Sequence, residues 1–117
     1  MIMHIDNNKT YHTLMDLYHK NPDGFTVYLK NGKVTSKIFK RYVVAYKTII
    51  EIHDYYIVFN GKLKDTGYYG GWYDKEDNKY IIENVKLYNN LKYALKIAKK
   101  YKQKYIYDLK ENKEIKV

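Results

Sequence analysis

The chain has 117 residues, no Cys, and 22 Lys or Arg against 13 Asp or Glu, for a formal net charge of +9. That length makes one domain with one core, and the lack of Cys excludes a disulfide framework and any thiolate metal site. The apolar runs are too short to span a bilayer and the start has no signal-peptide pattern, so a soluble cytoplasmic protein without membrane contact is expected.

Thr10 is placed to cap a first helix of about ten residues, in which Leu14, Leu17 and Tyr18 recur at helical spacing. Asn21-Pro22-Asp23-Gly24 stops it. Phe25, Val27 and Leu29 then alternate with Thr26, Tyr28 and Lys30 before Asn31-Gly32, the pattern of a hairpin with a tight turn. Arg41 to Ile52 and Tyr55 to Phe59 are β-like runs, with His53-Asp54 as the turn between them. Tyr68 to Asp74 and Lys79 to Glu83 form a further pair, so the middle of the chain reads as an antiparallel meander.

Asn90 caps the clearest helix, with Leu91, Ala94, Leu95, Ala98 and Tyr101 on one side and Lys92, Lys96, Lys99 and Lys100 on the other. Its apolar face is expected on the sheet. Tyr105, Tyr107 and Leu109 alternate with Ile106 and Asp108, Lys110 to Lys113 turns the chain, and Glu114 to Val117 closes a last hairpin. The expected fold is therefore a single α+β domain over residues 1–117: a short N-terminal helix, an antiparallel meander, one amphipathic helix packed on the sheet, and a closing hairpin.

Sixteen residues are Tyr and only three are Phe, although both have AT-rich codons. The chain favours rings that carry a hydroxyl, which suit half-wet binding surfaces. Gly67-Tyr68-Tyr69-Gly70-Gly71-Trp72-Tyr73 is the densest group. Trp72 is expected in the core as its main anchor, with Tyr69 and Tyr73 on the opposite strand face. Tyr68, Tyr69 and Tyr73, joined by Tyr105 and Tyr107, are the aromatic candidates for partner binding.

Between Glu83 and Asp108 the charged residues are Lys alone, and Lys92, Lys96, Lys99 and Lys100 are expected to steer the chain to an acidic or nucleic-acid-bearing partner. Arg41 is the one Arg, which argues against reading of base edges and leaves phosphate contact with Tyr stacking as the mode for nucleic acid. Asp65-Thr66-Gly67 matches the core of an aspartic-protease signature but follows Lys62-Leu63-Lys64 rather than an apolar strand, so catalysis there is not expected. His12 and His19 are two turns apart on one helix and are not expected to share a metal, and His4 and His53 stand alone. No catalytic residues, metal or cofactor are assigned.

Gly70-Gly71-Trp72-Tyr73-Asp74, Lys79-Tyr80, the spacing of Leu91, Ala94 and Ala98-Lys99, Gln103, and Ile106-Tyr107-Asp108-Leu109 before Glu114-Ile115 resemble a module of small accessory proteins of phages and other mobile elements. Gly24 to Val27 and Tyr42 to Tyr46 extend the resemblance upstream. The resemblance implies a bacterial host and a role against host defence, including CRISPR systems. The expectation is a non-enzymatic, anti-CRISPR-like inhibitor, monomer or homodimer, that occupies a host protein or ribonucleoprotein surface. The alternative is a sequence-nonspecific single-stranded nucleic-acid-binding protein that uses Lys to phosphate and Tyr to base contacts.

Overall fold

Asn8, not Thr10, caps the first helix, α1 (Lys9–Lys20): its side chain accepts from the Tyr11 N–H at 2.8 Å. A computed structural model describes residues 8–35, 38 and 40–117, so His4 lies outside the described residues. Thr10 is buried and donates instead to Asp65 Oδ1 at 2.7 Å. That bond takes up the carboxylate of the Asp65-Thr66-Gly67 tripeptide. Gly32 N–H donates to Asp65 O at 2.7 Å and Asn31 N–H to Thr66 Oγ1 at 3.1 Å, so the tripeptide pins α1 and the first hairpin turn together.

That hairpin joins β1 (Gly24–Lys30) to β2 (Lys33–Thr35). Asn31 and Gly32 both have positive φ, at 52° and 76°, as a tight two-residue hairpin turn requires. β3 (Tyr42–Ile52) is long, while β4 (Ile57–Phe59) is shorter than its apolar run and leaves Tyr55 in solvent. β5 (Gly67–Asp74) and β6 (Lys79–Tyr88) form the central hairpin, and β6 runs on well past Glu83 because Val85 and Leu87 are buried on β3. Asn90 caps α2 (Leu91–Lys100) by accepting from the Tyr93 N–H, and β7 (Tyr105–Asp108) with β8 (Lys113–Lys116) closes the chain.

The domain is α+β, and its antiparallel sheet has the order β2-β1-β5-β6-β3-β7-β8, with β4 on β3. The strands are not in sequence order, because the β5–β6 hairpin is inserted between β1 and β3. Residues opposite one another in antiparallel register share a face, and the registers sort the sheet into two unlike sides. One side carries Leu29, Tyr69, Tyr80, Ile82, Ile50 and Ile52, on which α1 lays Leu14. On the same side, Tyr42, Val44 and Ile106 receive Ala94 and Ala98 of α2. Both helices therefore pack on one face, α1 over β1 and β2 and α2 over β3, β6 and β7.

The other face has no helix on it among the described residues. Its centre is a small cluster of Val43, Val85 and Leu87, against which Ile38 and Leu109 pack. Two alternation breaks in β3, at Ala45/Lys47 and Thr48/Ile50, let the strand bend between the two helix-side cores.

The closing hairpin meets the sheet through two register pairs, Tyr42↔Asp108 and Val43↔Tyr107, and one ion pair. Asp108 is 1% exposed and is gripped by Arg41, Nε to Oδ1 at 2.9 Å and Nη2 to Oδ2 at 2.7 Å. The backbone N–H groups of Lys110 and Glu111 also donate to Oδ1. The Arg41 guanidinium holds the Asp108 carboxyl down from 3.8 to about 2. A depressed folded value means this contribution is present above pH 3.8 and is lost as pH falls toward 2. Thermal melts from pH 2 to 7 should show that limb in the native chain, and Asp108→Asn should melt lower at pH 7 with a flatter acid limb.

Candidate functional site

The nine partner-binding candidates fall into four places. Tyr69 is wholly buried among Leu14, Leu29 and Ile82, and its hydroxyl donates to Lys64 O at 2.7 Å and accepts from Lys64 N–H at 3.0 Å. It is a core residue and touches no partner. Trp72 is corrected in the opposite sense: it is 40% exposed, not a core anchor. The reason is its strand face. Trp72 points to the side away from α1 and α2, whereas the large core lies on the side of Tyr69.

Tyr73 shares the helix-side face with Tyr69 but lies past the end of α1's cover, exposed and hydrogen-bonded to Asn78. Tyr68, Tyr105 and Tyr107 are on the open face with Trp72. Tyr68 pairs with Tyr28 across β1, ring centroids 4.7 Å apart, on one flank of the Val43 cluster. Tyr105 and Tyr107, 50% and 36% exposed, stand on the other flank.

Lys92, Lys96, Lys99 and Lys100 are all exposed on the outer surface of α2, opposite the buried Ala94 and Ala98. Lys92, Lys96 and Lys99 line a groove of about 620 Å³ with Tyr93 and Leu95. The lysines and the open-face tyrosines are on opposite sides of the sheet. They do not make one site.

Two further features were not legible as sites. Glu83 sits on β6 between Gly70 and Thr48, under the rim of Trp72, with which its side chain is hydrogen-bonded. Burial pushes its carboxyl up from 4.5 to about 7. Glu51, near it, is held low by Lys79 at 2.6 Å and by Asn60 at 2.8 Å.

The second is a slot where β5 and β6 part. β5 pairs with β6 only from Tyr69↔Asn84 onward, while β6 stays paired to β3 as far as Tyr42↔Tyr88. Residues 85–88 of β6 therefore have strand pairing on one side alone. Gly67, at φ +152°, turns the chain away into β5 with open space around it. The resulting cavity is about 410 Å³, and Tyr46, Lys64, Thr66, Tyr68, Lys86 and Tyr88 are among its lining.

No protein-family model, curated protein or solved structure matches the chain.

Among the described residues no three His, Asp or Glu side chains come together as a metal site. Asp16 pairs with Lys20 at 2.9 Å, and the His19 ring lies against Tyr18, which is the work of a solvated helix face. No helix of the described residues is long and apolar enough to cross a membrane.

Proposed function

We propose that the chain is a non-enzymatic binding protein of a phage or mobile element that inhibits a host defence complex, in the manner of an anti-CRISPR protein, by covering a protein or ribonucleoprotein surface. One observation carries this reading: a sheet face with no helix on it among the described residues, bearing Tyr28, Tyr68, Trp72, Tyr105 and Tyr107 around the Val43, Val85 and Leu87 cluster. Aromatic residues around an apolar centre, with Glu51, Lys79, Glu114 and Lys116 toward the edges, are the composition of a protein contact surface. Rigid rings bury much area for little lost side-chain freedom. The lysines of α2, on the far side, would raise the rate of encounter with an acidic partner rather than form the contact itself.

The test is affinity capture from a lysate of the host, with and without nuclease, using the native chain and a Trp72→Ala, Tyr107→Ala double variant. A protein partner should survive nuclease and be lost with the double variant, while Tyr73→Ala, on the other face, should retain it. A partner held equally by all three chains would refute the open face as the contact surface. Charge reversal at Lys92, Lys96, Lys99 and Lys100 should weaken the salt dependence of binding; an unchanged dependence removes the steering role.

A further inference from the structure

Among the described residues the cations that lie in ion pairs are Lys20 with Asp16, Arg41 with Asp108 and Lys79 with Glu51. Lys86 is held differently. Its ammonium donates to Tyr101 Oη at 3.1 Å and sits over two rings, 4.9 Å from the Tyr46 centroid and 5.3 Å from the Tyr101 centroid. The rings fix its position but do not neutralise it, and among the described residues no carboxylate is within ion-pair distance of it. A positive charge that is ordered but not compensated, at the mouth of a cavity, is suited to an anion brought from outside.

We propose that the slot between β5 and β6 binds one nucleotide unit of a single-stranded nucleic acid. A cavity of about 410 Å³ is in the size range of small-ligand sites. Lys64 and Lys86 are the charged residues that line it, and no acid does. Tyr68 and Tyr88, both half-buried, flank it with aromatic surface for a base. The free edge of β6 at 85–88 offers main-chain donors and acceptors to the rim of that base, without demanding one base identity.

The strand continues toward α2. Lys100 reaches the Tyr101 ring at 5.8 Å, so Tyr101 lies between Lys86 and the helix lysines, and neighbouring phosphates have a cationic path onto α2. The competing occupant is an acidic peptide added as an extra strand. Only alternate residues of 85–88 present main-chain groups to the slot, and such an edge is too short to hold a strand by itself. A paired base, stacked in its duplex, cannot enter.

Fluorescence anisotropy with labelled (dT)8, (rU)8, a short duplex and a polyglutamate peptide, at 50 and 200 mM NaCl, tests this. The single strands should bind, more weakly at the higher salt, with the duplex at least ten-fold weaker. Lys64→Gln with Lys86→Gln should weaken strand binding ten-fold or more. Should that variant fold poorly by circular dichroism, amide shifts in the unaltered protein decide: (dT)8 should move the signals of residues 85–88. No strand binding at 50 mM NaCl, equal duplex binding, shifts confined to α2, or shifts at 85–88 from polyglutamate alone would each overturn the proposal. Loss of the open-face partner leaves these outcomes untouched, so the two readings fail separately.

Discussion

Tyr69→Ala is expected to destabilise the domain by about 3–5 kcal/mol, the usual cost of removing a large buried aromatic side chain. The ring fills the space between α1 and the sheet, with Leu14, Leu29 and Ile82 in the same core. Its hydroxyl holds the loop before β5 through both backbone groups of Lys64, and Asn84, itself buried, is bonded to it from β6. Burial pushes this phenol up from its ordinary value, so it stays protonated across the neutral range. Tyr69→Phe keeps the ring and orphans those partners, for about 1–3 kcal/mol. Urea denaturation should rank the variants Ala, Phe, native, while Tyr107→Ala on the open face should cost less than about 1 kcal/mol. Equal losses for Tyr69→Ala and Tyr107→Ala would contradict the assignment of Tyr69 to the core.

Glu83→Gln should stabilise the protein in alkaline solution. Below pH 4.5 the folded and unfolded chains both hold the Glu83 proton. Between pH 4.5 and about 7 the unfolded chain releases it while burial makes the fold retain it, so native stability falls through that window. Above about 7 the fold carries a carboxylate against the Trp72 side of the sheet. At about 1.4 kcal/mol per pH unit the loss is up to roughly 3 kcal/mol, reduced by whatever water reaches the group. Gln keeps an acceptor for the indole and has no proton to lose. Melts at pH 5 and pH 8.5 should therefore give similar values for the two chains at the lower pH and a clear advantage for Gln at the higher; parallel profiles would exclude the buried carboxyl as the cause.

The helices and strands were legible where the signal is local. Asn90 before an amphipathic run, Asn31-Gly32 between alternating segments, and the β-branched run of β3 each fix backbone conformation within a few residues. What stayed hidden depends on which side of the sheet is covered. The alternation of β5 correctly sets Trp72 opposite Tyr69, yet nothing local says that both helices lie on the side of Tyr69, and this decides which ring is buried. The Tyr excess was likewise ambiguous. Tyr69 and Tyr80 use their hydroxyls to tie loops to the sheet, at Lys64 and Asn21, and Tyr101 uses its own to hold Lys86. The first two serve the interior of the molecule, whereas Tyr55, Tyr56, Tyr73, Tyr93, Tyr105 and Tyr107 are exposed and Tyr28 and Tyr68 are half-buried on the open face. The slot escaped the sequence altogether, because it exists only where two strands with ordinary patterns part company.

The insertion of β5 and β6 between β1 and β3 also sets the order of events in folding. β5 and β6 are neighbours in the chain and zip across a short turn, as do β1 with β2 and β7 with β8. β1 has no other long partner until Trp72 has been made, since Gly24 pairs with Trp72 and Leu29 with Gly67. Two large loops must then close on one hairpin, and their entropy is lost before the distant pairings return it. A chain growing from the ribosome therefore holds α1 and its first hairpin without a sheet to rest on, and acquires a core only when the central hairpin arrives.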